Sequence, residues 1–122
     1  MTIAASILVV EDDRHIRNII DQVLRRDRML NFYKLNIIMA PDGESGLHRF
    51  RQQPIDLVIT DLLLPGMDGF QLVHAIRQAV GDKLPILVMT AVYRDPETLD
   101  ELKRKYSVDV ETKPFNLRLF AD

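Results

Sequence analysis

Three features of the sequence predict an α/β fold built on a doubly wound, five-stranded parallel sheet. Short apolar, β-branched runs alternate with stretches of helical periodicity along the whole chain. The runs are near-continuously apolar, as expected of strands buried on both faces by helices. Four of them end in chemically active residues: Glu11-Asp12 after Ile7-Leu8-Val9-Val10, Asp61 after residues 55–60, Thr90 after residues 85–89, and Lys113 after residues 108–112. Right-handed crossovers and short loops leave few arrangements of five βα units. The order 2-1-3-4-5 is the commonest, and its switch point lies between strands one and three. That order makes Asp12 and Asp61 neighbours at the carboxyl edge of the sheet.

Each element has its own signal. Residues 6–10 are short, apolar and β-branched, the first strand. Ile16, Ile19, Ile20, Val23 and Leu24 recur at helical spacing, an amphipathic first helix capped by Asp12 or Asp13. The connection 27–34 is long, carries Phe32 and Tyr33, and leaves the first helix room to continue. Residues 35–40 read as strand two, Pro41-Asp42-Gly43 breaks it, and residues 44–51 make a short second helix. Residues 55–60 are strand three. Pro65-Gly66-Met67-Asp68-Gly69 is a turn containing three residues of special φ. Gly69, Leu72, Val73, Ile76 and Val80 form the apolar stripe of the third helix, which Gly81-Asp82 ends. Residues 85–89 are strand four. Pro96 opens a fourth helix whose stripe, Leu99, Leu102 and Tyr106, is sparse. Residues 108–112 are strand five, and residues 116–122 begin a fifth helix of about two turns. No repeat, linker or low-complexity segment divides the chain, so residues 1–122 are expected to form one domain with a short or truncated last helix.

Composition narrows the function. The 122 residues suffice for one core, with 47 % apolar and 28 % charged residues. A formal net charge of −2 provides no broad basic field for nucleic acid or anionic lipid. The absence of cysteine excludes a disulfide framework and a thiolate metal site, and is compatible with the cytosol. The longest apolar stretches, 3–10 and 84–93, fall well short of the ~18 residues a membrane span needs. The first residues lack the basic region of a signal peptide. The expectation is a cytoplasmic domain that binds neither nucleic acid nor membrane.

The strand ends carry the chemistry. Glu11, Asp12 and Asp61 crowd negative charge into one crevice, which calls for a neutralising group. A hard divalent cation such as Mg²⁺ takes carboxylate oxygens and water and shares its shell with phosphate. Lys113 offers a point charge to phosphate oxygens, and Thr90 a hydroxyl. Asp61 then serves as the nucleophile that accepts a phosphoryl group.

The motifs Val9-Val10-Glu11-Asp12-Asp13, Asp61-Leu62-Leu63-Leu64-Pro65-Gly66-Met67-Asp68-Gly69, Met89-Thr90-Ala91 and Lys113-Pro114-Phe115 occur in order at strand ends. With them the chain resembles the receiver domain of two-component response regulators over nearly its full length. The resemblance implies a flavodoxin-like receiver fold with Asp61 as phosphoacceptor. It implies Mg²⁺ held by Glu11, Asp12, Asp61 and the backbone carbonyl of Leu63, with Asp12 the direct ligand of the acidic pair. Thr90 is then the switch hydroxyl and Lys113 the phosphate-contacting lysine. The implied donor is a histidine kinase or a histidine phosphotransfer protein. The implied output is an effector domain or a homodimer formed through the face of helix four, strand five and helix five. Such a domain is not an enzyme, since it catalyses only its own phosphorylation and dephosphorylation.

Two departures modify these expectations. Receivers usually carry Tyr or Phe three residues before the lysine, where this chain has Val110. Coupling from Thr90 to the helix-four face is therefore in question, with Tyr93 or Tyr106 as candidate substitutes. The last helix is also shorter than in most receivers. Leu63 and Val92, two residues beyond Asp61 and Thr90, flank the path of attacking water in the family, and neither can orient it. The alternative function is a phosphorylation-independent interaction module of the same fold. An Asp-x-Asp phosphatase needs an acid and a following Thr that Glu11-Asp12-Asp13-Arg14 does not supply. A flavin site needs a phosphate loop where the acidic pair stands. Taken singly, Asp12 and Asp13 are helix caps, Thr90 is a strand-end hydroxyl and Lys113 a surface amine. His15, His48 and His74 lack metal spacing and are expected in solvent. Residues 25–28 and 103–105 are expected to be solvated helix ends, the latter paired as Asp100–Arg104 and Glu101–Lys105.

Overall fold

The computed structural model describes residues 3–28, 30–90 and 96–112 of the chain. Strands β1 (Ile3–Val10), β2 (Tyr33–Ala40), β3 (Leu57–Asp61), β4 (Ile86–Thr90) and β5 (Asp109–Thr112) form one sheet. All pairs are parallel and the order is β2-β1-β3-β4-β5, as the sequence predicts. Helices α1 (Arg14–Arg26), α2 (Gly43–Gln52), α3 (Gly69–Val80) and α4 (Pro96–Tyr106) connect them, and a 3₁₀ turn at Leu30–Phe32 leads into β2. The expected fifth helix, residues 116–122, lies outside the described residues.

Successive residues of a strand face opposite sides, so each strand feeds two cores. On one side Leu8, Val10, Val58 and Val88 pack with Leu47 of α2, Leu72, Val73 and Ile76 of α3, and Leu102 of α4. On the other, Ile7, Val9, Ile59, Leu87 and Met89 pack with Ile20 and Leu24 of α1. Burial on both faces explains why the strands read as unbroken apolar runs.

Several expectations are corrected in detail. The first helix does not run into residues 27–34. It ends at Arg26, and the buried Asp27 turns the chain by accepting from Leu30 N at 3.1 Å while its carbonyl accepts from Asn31 N at 2.9 Å. Of the two candidate caps of α1, Asp13 is the one the structure selects. Of the two predicted stripes, Ile19 in the middle of α1 is 36 % exposed, and Val80, the last residue of α3, is 49 % exposed. The pairs Asp100–Arg104 and Glu101–Lys105 do not form. Lys105 Nζ instead lies 5.4 Å from the ring centroid of Tyr106, and exposed ion pairs gain too little to hold two long side chains together. Asp42 caps α2 through a 2.7 Å bond from Ser45 N, which holds its carboxyl below its ordinary pKa. The three histidines are exposed, and His74 meets the ring of Tyr106 edge-on.

The amino end of the sheet is tied by one buried cation. Arg77 of α3 donates through Nε to Tyr106 O (2.7 Å) and through Nη1 to Gly81 O (3.0 Å) and Leu84 O (2.7 Å). Its Nη2 donates to Ser107 O (2.8 Å), and Ser107 has φ 53°. One guanidinium thus joins the α3–β4 and α4–β5 connections. Burial lowers the pKa of Arg77 and the charge of Asp82 opposes that shift; arginine stays charged regardless. Replacing Arg77 by Met leaves four carbonyls without their donor. We expect a loss of about 3 kcal/mol, from the cost of unsatisfied groups and lost charged hydrogen bonds. Urea unfolding measures it, and a loss below about 1 kcal/mol, the size of one ordinary hydrogen bond, would refute the account.

Candidate functional site

The site is assembled from two loops at the carboxyl edge of the sheet. In the first, Glu11 N extends the β1 ladder by donating to Ala40 O at 3.0 Å, which carries Glu11 inward to 1 % exposure. Its Oε1 accepts from Asp13 N at 3.3 Å. Asp13 accepts from His15 N (2.8 Å) and Ile16 N (3.3 Å), so its carboxylate is occupied at the start of α1. That leaves the exposed Asp12 facing the crevice beside Glu11. Arg17, which the sequence reading did not single out, donates through Nη1 to Glu11 O (2.8 Å) and Asp12 O (3.2 Å). An arginine in the first turn after an acidic run is a weak signal, and a role toward carbonyls leaves none.

In the second loop, Asp61 ends β3 at 6 % exposure, paired in register with Met89. The ladder continues through Leu62 N to Met89 O at 3.2 Å, and Leu63 N donates back to Asp61 Oδ1 at 3.2 Å. This last bond holds the carboxylate by its own loop. Asp68 and Gln71 close a capping box at the start of α3, with bonds of 2.9 and 3.0 Å. Gly66 has the positive φ of 70° that the turn requires, whereas Gly69 serves by close approach. Gly69 N donates to Leu62 O at 2.9 Å. A Cβ on Gly69 would lie 2.6 Å from Leu62 Cα and collide with the Asp61 carbonyl oxygen. Gly69→Ala must therefore push α3 away from the Asp61 loop. The expected cost is about 1–3 kcal/mol of overpacking, with displaced amide resonances at Asp61 to Leu63. Unchanged resonances there would contradict the close-approach role.

The loops meet where the sequence predicts. Carboxylate oxygens of Glu11, Asp12 and Asp61 all lie within 4.8 Å of one another. Three hard oxygen donors, two on buried residues, suit an oxygen-loving divalent cation, so the donor set fits Mg²⁺. Thr90 sits at the tip of β4, one residue beyond the partner of Asp61 and 1 % exposed. Leu63 lies beside Asp61 with its side chain 59 % exposed. Val110 pairs with Val88 and is half-buried against the α3–α4 side of the core, alongside Phe70 and Tyr106. Lys113, Val92 and Tyr93 lie outside the described residues. Their expected roles rest on the sequence.

Comparison with known proteins agrees with this geometry. Residues 7–121 match the family model described as response regulator receiver domain. The chain is 33 % identical over 111 residues to the response regulator GtcR of Aneurinibacillus migulanus, covering 91 % of this chain and 42 % of that protein. It is 33 % identical over 116 residues to the response regulator RR06 of Streptococcus pneumoniae, covering 95 % and 49 %. Among solved structures, the chemotaxis response regulator CheY4 of Vibrio cholerae superposes with TM-score 0.76 at 31 % identity, covering 93 % of this chain and 89 % of that one. A putative response regulator from Chloroflexus aurantiacus gives TM-score 0.79 at 28 % identity, covering 97 % and 92 %. The chain belongs to the response regulator receiver domain family of two-component systems. It spans less than half the length of the two curated relatives. Among the described residues no helix is long and apolar enough to cross a membrane.

Proposed function

We propose that this chain is a phosphorylation-dependent signalling receiver that takes a phosphoryl group onto Asp61. The observation that carries the proposal is the convergence of Glu11, Asp12 and Asp61 at the switch point of the sheet. An oxygen of Asp61 attacks phosphorus of a phosphohistidine on a histidine kinase or phosphotransfer protein. The new P–O bond forms as the P–N bond breaks, and the imidazole nitrogen keeps the bonding pair and takes a proton. Glu11, Asp12, Asp61 and the Leu63 carbonyl would hold Mg²⁺, which offsets phosphoryl charge during transfer. Thr90 and Lys113 receive the phosphoryl oxygens, and the chain acts on no other substrate. The family context favours a cytoplasmic setting and a kinase partner. It also favours an output through an effector domain or through the α4–β5 face, where Val110 replaces the usual aromatic.

Intact mass after incubation with acetyl phosphate and Mg²⁺ tests the reading. One added phosphoryl group is expected, absent in Asp61→Asn and absent without metal. No added mass under any condition would refute the proposal. Phosphorylation with no change in structure or binding would favour the phosphorylation-independent interaction module instead, which the small Val110 side chain makes a specific alternative.

The aspartyl phosphate should also be long-lived, because Leu63 and Val92 offer no polar group to orient attacking water. We expect self-dephosphorylation slower than in receivers with polar residues at these positions, followed by loss of the added mass over time. The pair Leu63→Asn with Val92→Glu should shorten the lifetime. A wild-type half-life of seconds would count against this explanation.

A further inference from the structure

The backbone of the acidic pair is held by a cation bound to its carbonyls. Arg17 is half-buried in the first turn of α1, and its Nη1 bridges Glu11 O at 2.8 Å and Asp12 O at 3.2 Å. These are the carbonyls of the two residues whose side chains converge on Asp61. Among the described residues the ion pair within 4.0 Å is Asp21–Arg25, so Arg17 does not neutralise the cluster by direct pairing. It grips the backbone of Glu11 and Asp12.

We infer that Arg17 is a positioning residue for the divalent cation. Glu11 is also anchored through its amide on Ala40 O and its Oε1, which accepts from Asp13 N. Asp12 is exposed, and the Arg17 bond reaches its carbonyl directly. By bridging successive carbonyls the guanidinium fixes the peptide planes that set where the Glu11 and Asp12 side chains leave the backbone. Groups that orient metal ligands in this way matter for affinity although they never touch the metal. The charge of Arg17 works in the opposite direction, since a fixed cation near the site repels an incoming one. The sign of the effect of removing Arg17 therefore separates positioning from plain electrostatics.

This inference rests on reading the cluster as a cation site, and the experiment keeps the two apart. Mg²⁺ affinity is measured by amide-shift titration in wild type, Asp12→Asn, Arg17→Met and Arg17→Lys, with urea unfolding on each. Saturable binding by wild type that weakens in Asp12→Asn supports the cation site; no such binding overturns that reading. Given the site, Arg17→Met should raise the dissociation constant roughly tenfold, the lower end of what lost ligand orientation costs. Arg17→Lys keeps the charge but loses the rigid fork and should bind nearly as weakly. Unchanged or tighter binding in a folded Arg17→Met overturns the inference. If Arg17→Met does not fold, Arg17→Lys decides it, and wild-type affinity there overturns it equally.

Discussion

Three like charges are held together at the carboxyl edge of this sheet, and much of the architecture serves to keep them there. At separations up to 4.8 Å, each pair repels by on the order of 3 kcal/mol at an effective dielectric of 20, less where Asp12 faces solvent. Flexible loops would relax that repulsion by letting the side chains swing apart. Here they cannot. The parallel ladders run one residue beyond β1 and β3, through Glu11 N to Ala40 O and Leu62 N to Met89 O. Asp13 is taken up as a cap, so the run Glu11-Asp12-Asp13 delivers two carboxylates to the crevice and not three. Gly69 lets α3 start in contact with the backbone of Asp61 and Leu62. The site thus depends on the direct pairing of β1 with β3, and an order that placed another strand between them would take it apart.

The opposite end of the molecule is built on a different principle. There Arg77 gathers carbonyls from two connections, so the ends of α3 and α4 are joined through one charged group. The side chain of Tyr106, whose carbonyl Arg77 holds, lies half-buried between His74 and Lys105. Beside it Phe70, Thr98, Glu101 and Leu102 line a groove of about 150 Å³. Val110 packs against the same side of the core with a side chain smaller than the aromatic expected there. The α4–β5 side of the molecule is thus tied at the amino end of the sheet and grooved beside Tyr106.

The fold was legible because its signals are redundant. Each strand is apolar on both faces, each crossover is helical, and each strand end carries a turn or an active residue. The acidic cluster followed from that order once Asp12 and Asp61 were placed at neighbouring strand tips. What failed were local details decided by geometry beyond sequence spacing. Asp27 ended α1 by bonding its own turn, in a segment whose charged neighbours read as a solvated helix end. Ile19 and Val80 satisfy the helical period and are nonetheless partly exposed, because the period alone does not set how wide or how long the buried face is. At Gly69 the turn motif predicts a φ requirement, whereas the structure shows a contact requirement.

Both influential arginines were missed for one physical reason. Sequence reading assigns a cation by finding a carboxylate at matching spacing, as it did for Asp100–Arg104. Arg17 and Arg77 instead bind backbone carbonyls, which every residue carries and no pattern marks. Burial selects this use. An exposed ion pair gains little against solvent and side-chain entropy, whereas a carbonyl at a helix end or loop, short of a partner, gains a charge-assisted bond where water is scarce. Arg77 meets that condition at 9 % exposure and Arg17 in part. The cations that shape this molecule are therefore those withdrawn from its surface charge pattern, while the clustered runs at residues 25–28 and 103–105 largely face solvent.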